Sequence, residues 1–314
     1  MIKALQIALF LCLLLLLYGI TRLRKNTVMD ENIFHNGVAY SLVSPHLAFI
    51  TSDACWERDY WRELLAAVPT PCKVAIFSSN LCNFETMARL CENERPQVII
   101  HTSDEGGRSP EFYALANETS LVLRQYHHPN YGVPPKNIIH IPLGYQTHVF
   151  GGESAKDYLP KASESLRDLT WSFIGNIKQD RQEMMDEMRK QFPDKYHVGH
   201  AAPPTMAELY RRSIFVPNGR GNVVLNCFRL YEASACGAIP VLVGNEKEIS
   251  EEFRYEDSPP WIFASSWSEA AMACRRLLES KEDLSIRQNA VIAWWKRRIG
   301  TVVGSIQMHL ATEH

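Results

Sequence analysis

The chain is poor in ready-made catalytic signatures, and each gap removes a class of protein. It has no Asp-x-Asp triplet, the common carboxylate grip on a Mg or Mn ion lying against a diphosphate. It has no His-Glu-x-x-His and no Cys-x-x-Cys, so neither zincin nor zinc-ribbon spacing is present, and no metal ligand set is expected. No Gly-x-Ser-x-Gly elbow supports a serine hydrolase. Internal repeats and low-complexity tracts are missing too. The formal net charge is only −2, so nothing points to nucleic acid as a partner.

Long apolar runs are scarce, with one exception. Residues 4–20 are almost wholly apolar, with Gln6 the only clearly polar side chain. A run apolar on every face is unlike an amphipathic core helix, and its length is at the short end for a bilayer span. Arg22, Arg24 and Lys25 follow at once. A cleaved signal peptide is the rival reading, but no small-x-small cleavage site follows, so residues 1–25 are expected to be an uncleaved membrane anchor. By charge alone, the basic cluster after the run would keep the bulk of the chain in the cytosol. Of eight cysteines, Cys12 lies in this run. Cys55, Cys72, Cys82 and Cys91 crowd the first half, where disulfides and buried free thiols both remain open.

What the chain does have is 314 residues, 46% of them hydrophobic and 22% charged, enough for two globular domains. Short apolar runs alternate with segments of helical spacing. That alternation predicts an α/β protein of two doubly wound, Rossmann-like domains facing a cleft. The first spans residues 26–150, opening with a polar stem to about residue 42. The Gly- and Ser-rich stretch 151–168 reads as a linker, and the second domain spans 169–314. The last helix is expected at residues 283–298. Asn117-Glu-Thr119 is an N-glycosylation acceptor.

One stretch organises the rest. Residues 214–244 read as strand, glycine loop, helix from 225 to 235, turn and strand, a right-handed βαβ unit. A helix N-terminus behind a glycine loop favours an anion. Arg220 and Arg229 add guanidinium forks suited to phosphate oxygens. Arg229 and Glu232 share one helix face, offering either a cation for a diphosphate with a carboxylate for ribose hydroxyls, or an ion pair on a solvated face.

Ligands of open α/β sheets lie beyond the carboxyl ends of the strands. Candidates at such ends are Gly175, Lys178 and Arg181, then His200, then the loop 218–222 with Arg220 foremost, then Glu246 as a helix cap. In the first domain Asp104 and Glu105 follow a buried-type strand, and either is placed to act as a general base at the cleft. Arg124, His127 and His128 follow the next strand. For each of these, an ordinary loop or surface role is the competing reading.

The string Arg229-Leu-Tyr-Glu232-Ala-Ser-Ala-Cys236-Gly237-Ala-Ile239-Pro240-Val241 resembles the donor-binding segment of exostosin-like glycosyltransferases. Residues 171–181 and 141–145 are similar to further pieces of that family, and the likeness covers roughly residues 104–270. The resemblance implies a GT-B fold whose last helix returns to the first domain. It implies an inverting, metal-independent transferase with no cofactor, using a nucleotide-sugar donor, by resemblance a UDP-sugar, and a glycan or glycoprotein acceptor. It also implies a type II protein with its catalytic domain in the Golgi lumen, against the charge count, working alone or as a homo- or hetero-oligomer. Gly175, Arg181, Arg220, Arg229 and Glu232 would then hold the donor, and Asp104 or Glu105 would take the acceptor proton. Two other classes stand beside it. One is a non-catalytic sugar-binding or partner protein on the same fold. The other is a dinucleotide-binding oxidoreductase, disfavoured because Val224 stands where a third glycine is needed.

Overall fold

The computed structural model describes residues 33–35, 38–43, 46–50, 57–78, 84–107, 120–128, 131, 134–150 and 167–312. The expected anchor, Asn117, a helix expected near residues 112–116 and residues 151–166 of the linker lie outside the described residues. Among the described residues no helix is long and apolar enough to cross a membrane.

The first sheet has seven strands: β1 (Ile33–His35), β2 (Val38–Val43), β3 (His46–Ile50), β4 (Lys73–Ser78), β5 (Val98–Thr102), β6 (Leu121–Arg124) and β7 (Ile138–His140). They lie side by side in chain order. β3 to β7 are parallel, and β1 and β2 add an antiparallel edge. Two expectations are corrected here. Strand order never reverses in this sheet, so it is not doubly wound. And the presumed polar stem carries two strands, because Val38-Ala-Tyr-Ser-Leu-Val43 is a β-type segment with a partner on each side.

Helices cover both faces of this sheet. Val74, Ile76, Val98 and Ile100 pack with Tyr60, Trp61, Leu64 and Leu65 of α1 (Arg58–Ala66). Ala75, Phe77 and Ile99 pack with Met87, Leu90 and Cys91 of α2 (Phe84–Glu94). Strands covered on both sides are apolar throughout rather than alternating, and β5 is buried from end to end.

The second sheet has the order β12-β11-β10-β8-β9, all parallel. Its strands are β8 (Leu169–Ile174), β9 (Tyr196–Gly199), β10 (Ser213–Asn218), β11 (Ile239–Val243) and β12 (Ile262–Ala264). Here the order does reverse. The chain runs from β8 outward to β9, then returns to place β10 on the other side of β8. The carboxyl ends of β8 and β10 therefore flank a topological switch point, where open α/β sheets hold ligands.

α3 (Arg181–Gln191) and α7 (Trp267–Glu279) cover one face of this sheet through Met184, Met188, Trp267 and Ala271. α4 (Pro203–Arg212) and α5 (Phe228–Ala235) cover the other through Tyr210, Leu230 and Ala233. α4 starts at Pro203, where a missing N–H costs nothing, rather than after a Thr205 cap. α6 (Glu246–Glu252) is capped by Asn245, whose side chain accepts from Glu248 N at 2.9 Å.

One buried cluster joins the halves. It runs from Tyr60 and Leu64 through Leu230 and Tyr231 to Trp294, Trp295, Val302, Ile306 and Leu310 of α8 (Lys281–Thr312). α8 has 32 residues, twice the expected helix. It leaves the second sheet and returns to the first: Arg298 Nη2 donates to His140 O at 2.7 Å and Nε to Glu256 Oε2 at 3.3 Å. The described cysteines Cys72, Cys91, Cys227, Cys236 and Cys274 are free thiols.

Candidate active site

A cavity of about 850 Å³ opens between the two sheets. Its first wall is built from Glu57 before α1, Ser103 to Gly106 after β5, Tyr126 and Gln146. Its second wall is the loop after β8, the loop after β10, and the start of α5.

The second wall sits at the switch point. Arg229 straddles the two strand ends: Nε donates to Ile174 O at 2.9 Å and Nη1 to Asn218 Oδ1 at 3.1 Å. Arg181, 3% exposed, does the same one layer out, donating from Nη1 to Asn176 O at 2.8 Å and from Nη2 to Arg220 O at 2.7 Å. The guanidinium carbons lie 5.8 and 5.2 Å from the ring centre of buried Phe173. Burial lowers the Arg181 pKa, and the neighbouring Arg229 charge lowers it further. Among the described residues neither guanidinium bonds a carboxylate, and Arg181 Nε is buried with no partner. Two adjacent cations hydrogen-bonded only to neutral oxygens and the Cys227 sulfur form a preorganised anion site.

Backbone geometry is fitted to that site. Gly175 has φ +145°, and a Cβ there would lie 3.0 Å from Arg229 Nη2. Gly221 closes a turn onto Val224 O at 2.9 Å, and a Cβ there would meet Asn226 O at 2.6 Å and Glu105 Oε1 at 2.7 Å. α5 starts at Phe228, later than the expected residue 225, so residues 219–227 form an irregular loop instead of an immediate helix entry. The N-cap Cys227 gives no side-chain cap; it donates Sγ–H to Asn218 Oδ1 at 2.6 Å. The start of α5 thus lines the cleft with no cap from its N-cap side chain.

Carboxyl groups of contrasting state line both walls. Glu57 is 1% exposed; Ser103 Oγ donates to its Oε1 at 3.3 Å, and its Oε2 is buried with no partner. Burial pushes its pKa up to about 7, against its own backbone amide and Ser103. Glu232, 1% exposed on α5, accepts from Gln146 N at 3.2 Å, and burial pushes it up to about 7, opposed by that bond and by Arg229. Asp104 is anchored through one oxygen: Arg124 Nη2 donates to Oδ2 at 2.5 Å and Tyr131 OH to the same oxygen at 2.9 Å. Glu105 reaches across the cleft, accepting from Val223 N at 2.8 Å and Asn222 Nδ2 at 3.1 Å.

The residues expected from sequence therefore divide. Asp104, Glu105, Gly175, Lys178, Arg181, His200, Arg229 and Glu232 all line the one cavity. Arg220 does not. Its guanidinium forks onto Glu248 at 2.5 and 2.7 Å and faces a second cavity of about 510 Å³ behind the loop, with His127 on its far side. Only the Arg220 backbone serves the site, as the acceptor for Arg181. Arg124 and His128 brace the Asp104 loop, with His128 Nε2 bonding Asp104 O at 2.8 Å. Glu246 is the first residue of α6. Sequence reading missed Glu57. Its only signal was a carboxylate at the head of an amphipathic helix, which reads as surface.

No known family profile matches the chain, and no curated protein does. Solved structures do. The chain is similar to Anabaena Alr3699/HepE in complex with UDP and glucose, at 13% identity and TM-score 0.43 over 80% of this chain and 81% of that one. It is similar to an alpha-glucosyltransferase in complex with UDP-glucose and DNA containing an abasic site, at 9% identity and TM-score 0.38 over 78% and 90%. It is also similar to the glycotransferase of kitacinnamycin, at 9% identity and TM-score 0.42 over 83% and 97%.

Proposed function

We propose that the protein is a glycosyltransferase that moves a sugar from a nucleotide-sugar donor to a hydroxyl of a glycan acceptor. One observation carries this reading: Arg181 and Arg229 stand side by side at the switch point with only neutral partners, opening into a cleft. A diphosphate supplies the missing negative charge, and the uncapped start of α5 adds amide donors for it. As the sugar departs, charge builds on the diphosphate, which is where preorganised cations lower a barrier. Glu232, beside Arg229, is placed to accept from ribose hydroxyls.

The finer parts of the proposal rest on the exostosin resemblance of residues 104–270. They are a UDP-sugar donor, inversion at the anomeric carbon, turnover without a metal ion, and a lumenal Golgi site behind an anchor at residues 1–25. The test is direct. The purified chain is incubated with a panel of UDP-sugars and sugar acceptors in the presence of EDTA, and free UDP is measured. Release of UDP that survives EDTA is expected. Failure to bind UDP or to release it from any donor sinks the reading, and loss of release in EDTA alone sinks the metal-independent part.

A further inference from the structure

We infer that Glu57 is the general base of the cleft, the group that takes the acceptor hydroxyl's proton. The inference rests on the transferase reading and names the one role that the residues suggested by sequence do not fill. A general base needs a lone pair free to receive a proton and a position facing the bound donor. Asp104 is the poorer candidate, because its carboxylate is locked in a buried 2.5 Å ion pair with Arg124 and takes a second bond from Tyr131. Glu105 is poorer as well, because its two oxygens hold Val223 N and Asn222 Nδ2 of the opposite wall. Glu57 meets the first requirement: Ser103 steadies Oε1, while Oε2 is buried with no partner. It also meets the second, since Glu57 lines the cavity from the first wall and Arg229 and Glu232 line it from the second.

The other titratable groups lining the same cavity are Asp104 and Glu105 after β5, Tyr126 after β6, Lys178 and Arg181 after β8, His200 after β9, and Cys227, Arg229 and Glu232 at the start of α5. Burial is the largest influence and raises Glu57 to about 7, where a carboxylate is basic enough to help and still ionised in part. The step balances. The acceptor oxygen bonds the anomeric carbon and its proton passes to Glu57 Oε2. The bond from that carbon to the diphosphate breaks, and the electron pair leaves on the diphosphate beside Arg181 and Arg229.

The experiment compares wild type, Glu57→Gln and Ser103→Ala in the full chain. UDP binding is measured by calorimetry and UDP release from a UDP-sugar across pH. Wild-type turnover should rise with pH through about 7, as the base loses its proton. Glu57→Gln should bind UDP as wild type does and lose about 10²- to 10⁴-fold in turnover, with the rising limb gone. Ser103→Ala removes a bond that lowers the Glu57 pKa, so its limb should move to higher pH, which a merely structural serine would not cause. Should Glu57→Gln fail to fold, the Ser103→Ala limb decides alone. Full turnover or an intact limb in Glu57→Gln, or an unmoved limb in Ser103→Ala, overturns the assignment while wild-type activity leaves the transferase reading standing. If wild type neither binds UDP nor releases it, that reading falls and takes this one with it.

Discussion

The two walls of the cleft solve opposite electrostatic problems. The second wall holds two adjacent cations with no carboxylate hydrogen-bonded to either, each guanidinium spanning two strand ends on neutral partners. The first wall carries carboxyls, of which Glu105 is half-buried and Asp104 and Glu57 are buried; Asp104 pairs with Arg124, while one oxygen of Glu57 has no partner. Burying an unanswered charge costs stability in either case. A carboxyl can shed that cost by staying protonated, whereas a guanidinium cannot. On the proposed reading the second wall is a fixed anion site, and the first holds a proton-exchanging group. That pairing is what a transfer between a phosphate ester and a hydroxyl requires.

Removing Arg229 should break the comparison most forcefully. Truncating one partner of a buried charge pair costs about 2 to 5 kcal/mol, so Arg229→Ala should weaken UDP binding by about 3 kcal/mol, on the order of 100-fold. Its effect on the unfolding free energy should be smaller, since the hydrogen-bond partners left behind are neutral and Glu232, deprived of the nearby charge, can stay protonated. Unchanged UDP affinity by calorimetry would mean that the second wall is not the donor site.

The first wall gives the next largest effect, now on stability. Glu57 has a folded pKa near 7, above the usual 4.5. A raised pKa means the folded chain keeps a proton that the unfolded chain gives up. The residue then costs stability as pH climbs from about 4.5 through 7, and costs nothing below. Glu57→Gln removes the penalty. It should raise the unfolding free energy at pH 8 by about 2 kcal/mol and leave it unchanged near pH 4. Urea titrations at the two pH values measure the difference. A gain of equal size at both, or a loss at pH 8, would show that Glu57 is not strained by ionisation.

How far the sequence told these walls apart follows from how each is made. Gly175, Arg181, Arg229 and Glu232 sit within a few residues of strand ends or helix starts, and strand–helix alternation locates such points. The first wall is assembled by packing. Glu57 becomes interior only because α1 docks its Tyr60 and Trp61 face on β4 and β5, with Tyr60 also meeting Trp295 of the returning helix. No local pattern reports that contact. Strand order is invisible for the same reason, so the absence of a reversal in the first sheet could not be read. α8 overran its expected end because Gly300 and Gly304 do not take the left-handed φ of a helix stop and simply continue the helix. Arg220 was misplaced because its neighbours in sequence fix its backbone and not its side chain, which Glu248 captures from α6.

A contact that joins the walls sharpens the picture further. Glu105 ties the first wall to the loop after β10 through Val223 N and Asn222 Nδ2. Both bonds are partly solvated, so Glu105→Ala should cost about 1 kcal/mol of stability. The amide of Val223 should then exchange its hydrogen faster. Unaltered exchange at that amide would show that the loop is held by its own Gly221 turn and not by the opposite wall.

The smallest expected effect is the most discriminating about the second wall. Arg220 is the arginine that sequence favours for phosphate, and it lies on the loop between the strand end and α5. Its guanidinium faces away from the cleft onto Glu248, with the two side chains 36% and 30% exposed. A pair so open to solvent is worth little, so Arg220→Ala should lower stability by less than about 1 kcal/mol, and less again at high salt. UDP affinity should not change, because the group the site uses is the Arg220 carbonyl that receives Arg181, and alanine keeps it. Arg220→Pro is the sharper partner variant. Its ring removes the backbone N–H that Asp180 Oδ1 accepts at 3.0 Å, displacing that carbonyl and loosening Arg181. UDP affinity should therefore fall in the proline variant and hold in the alanine one. A loss of affinity in Arg220→Ala would bring its side chain into the donor site and require the loop to turn over when the donor binds.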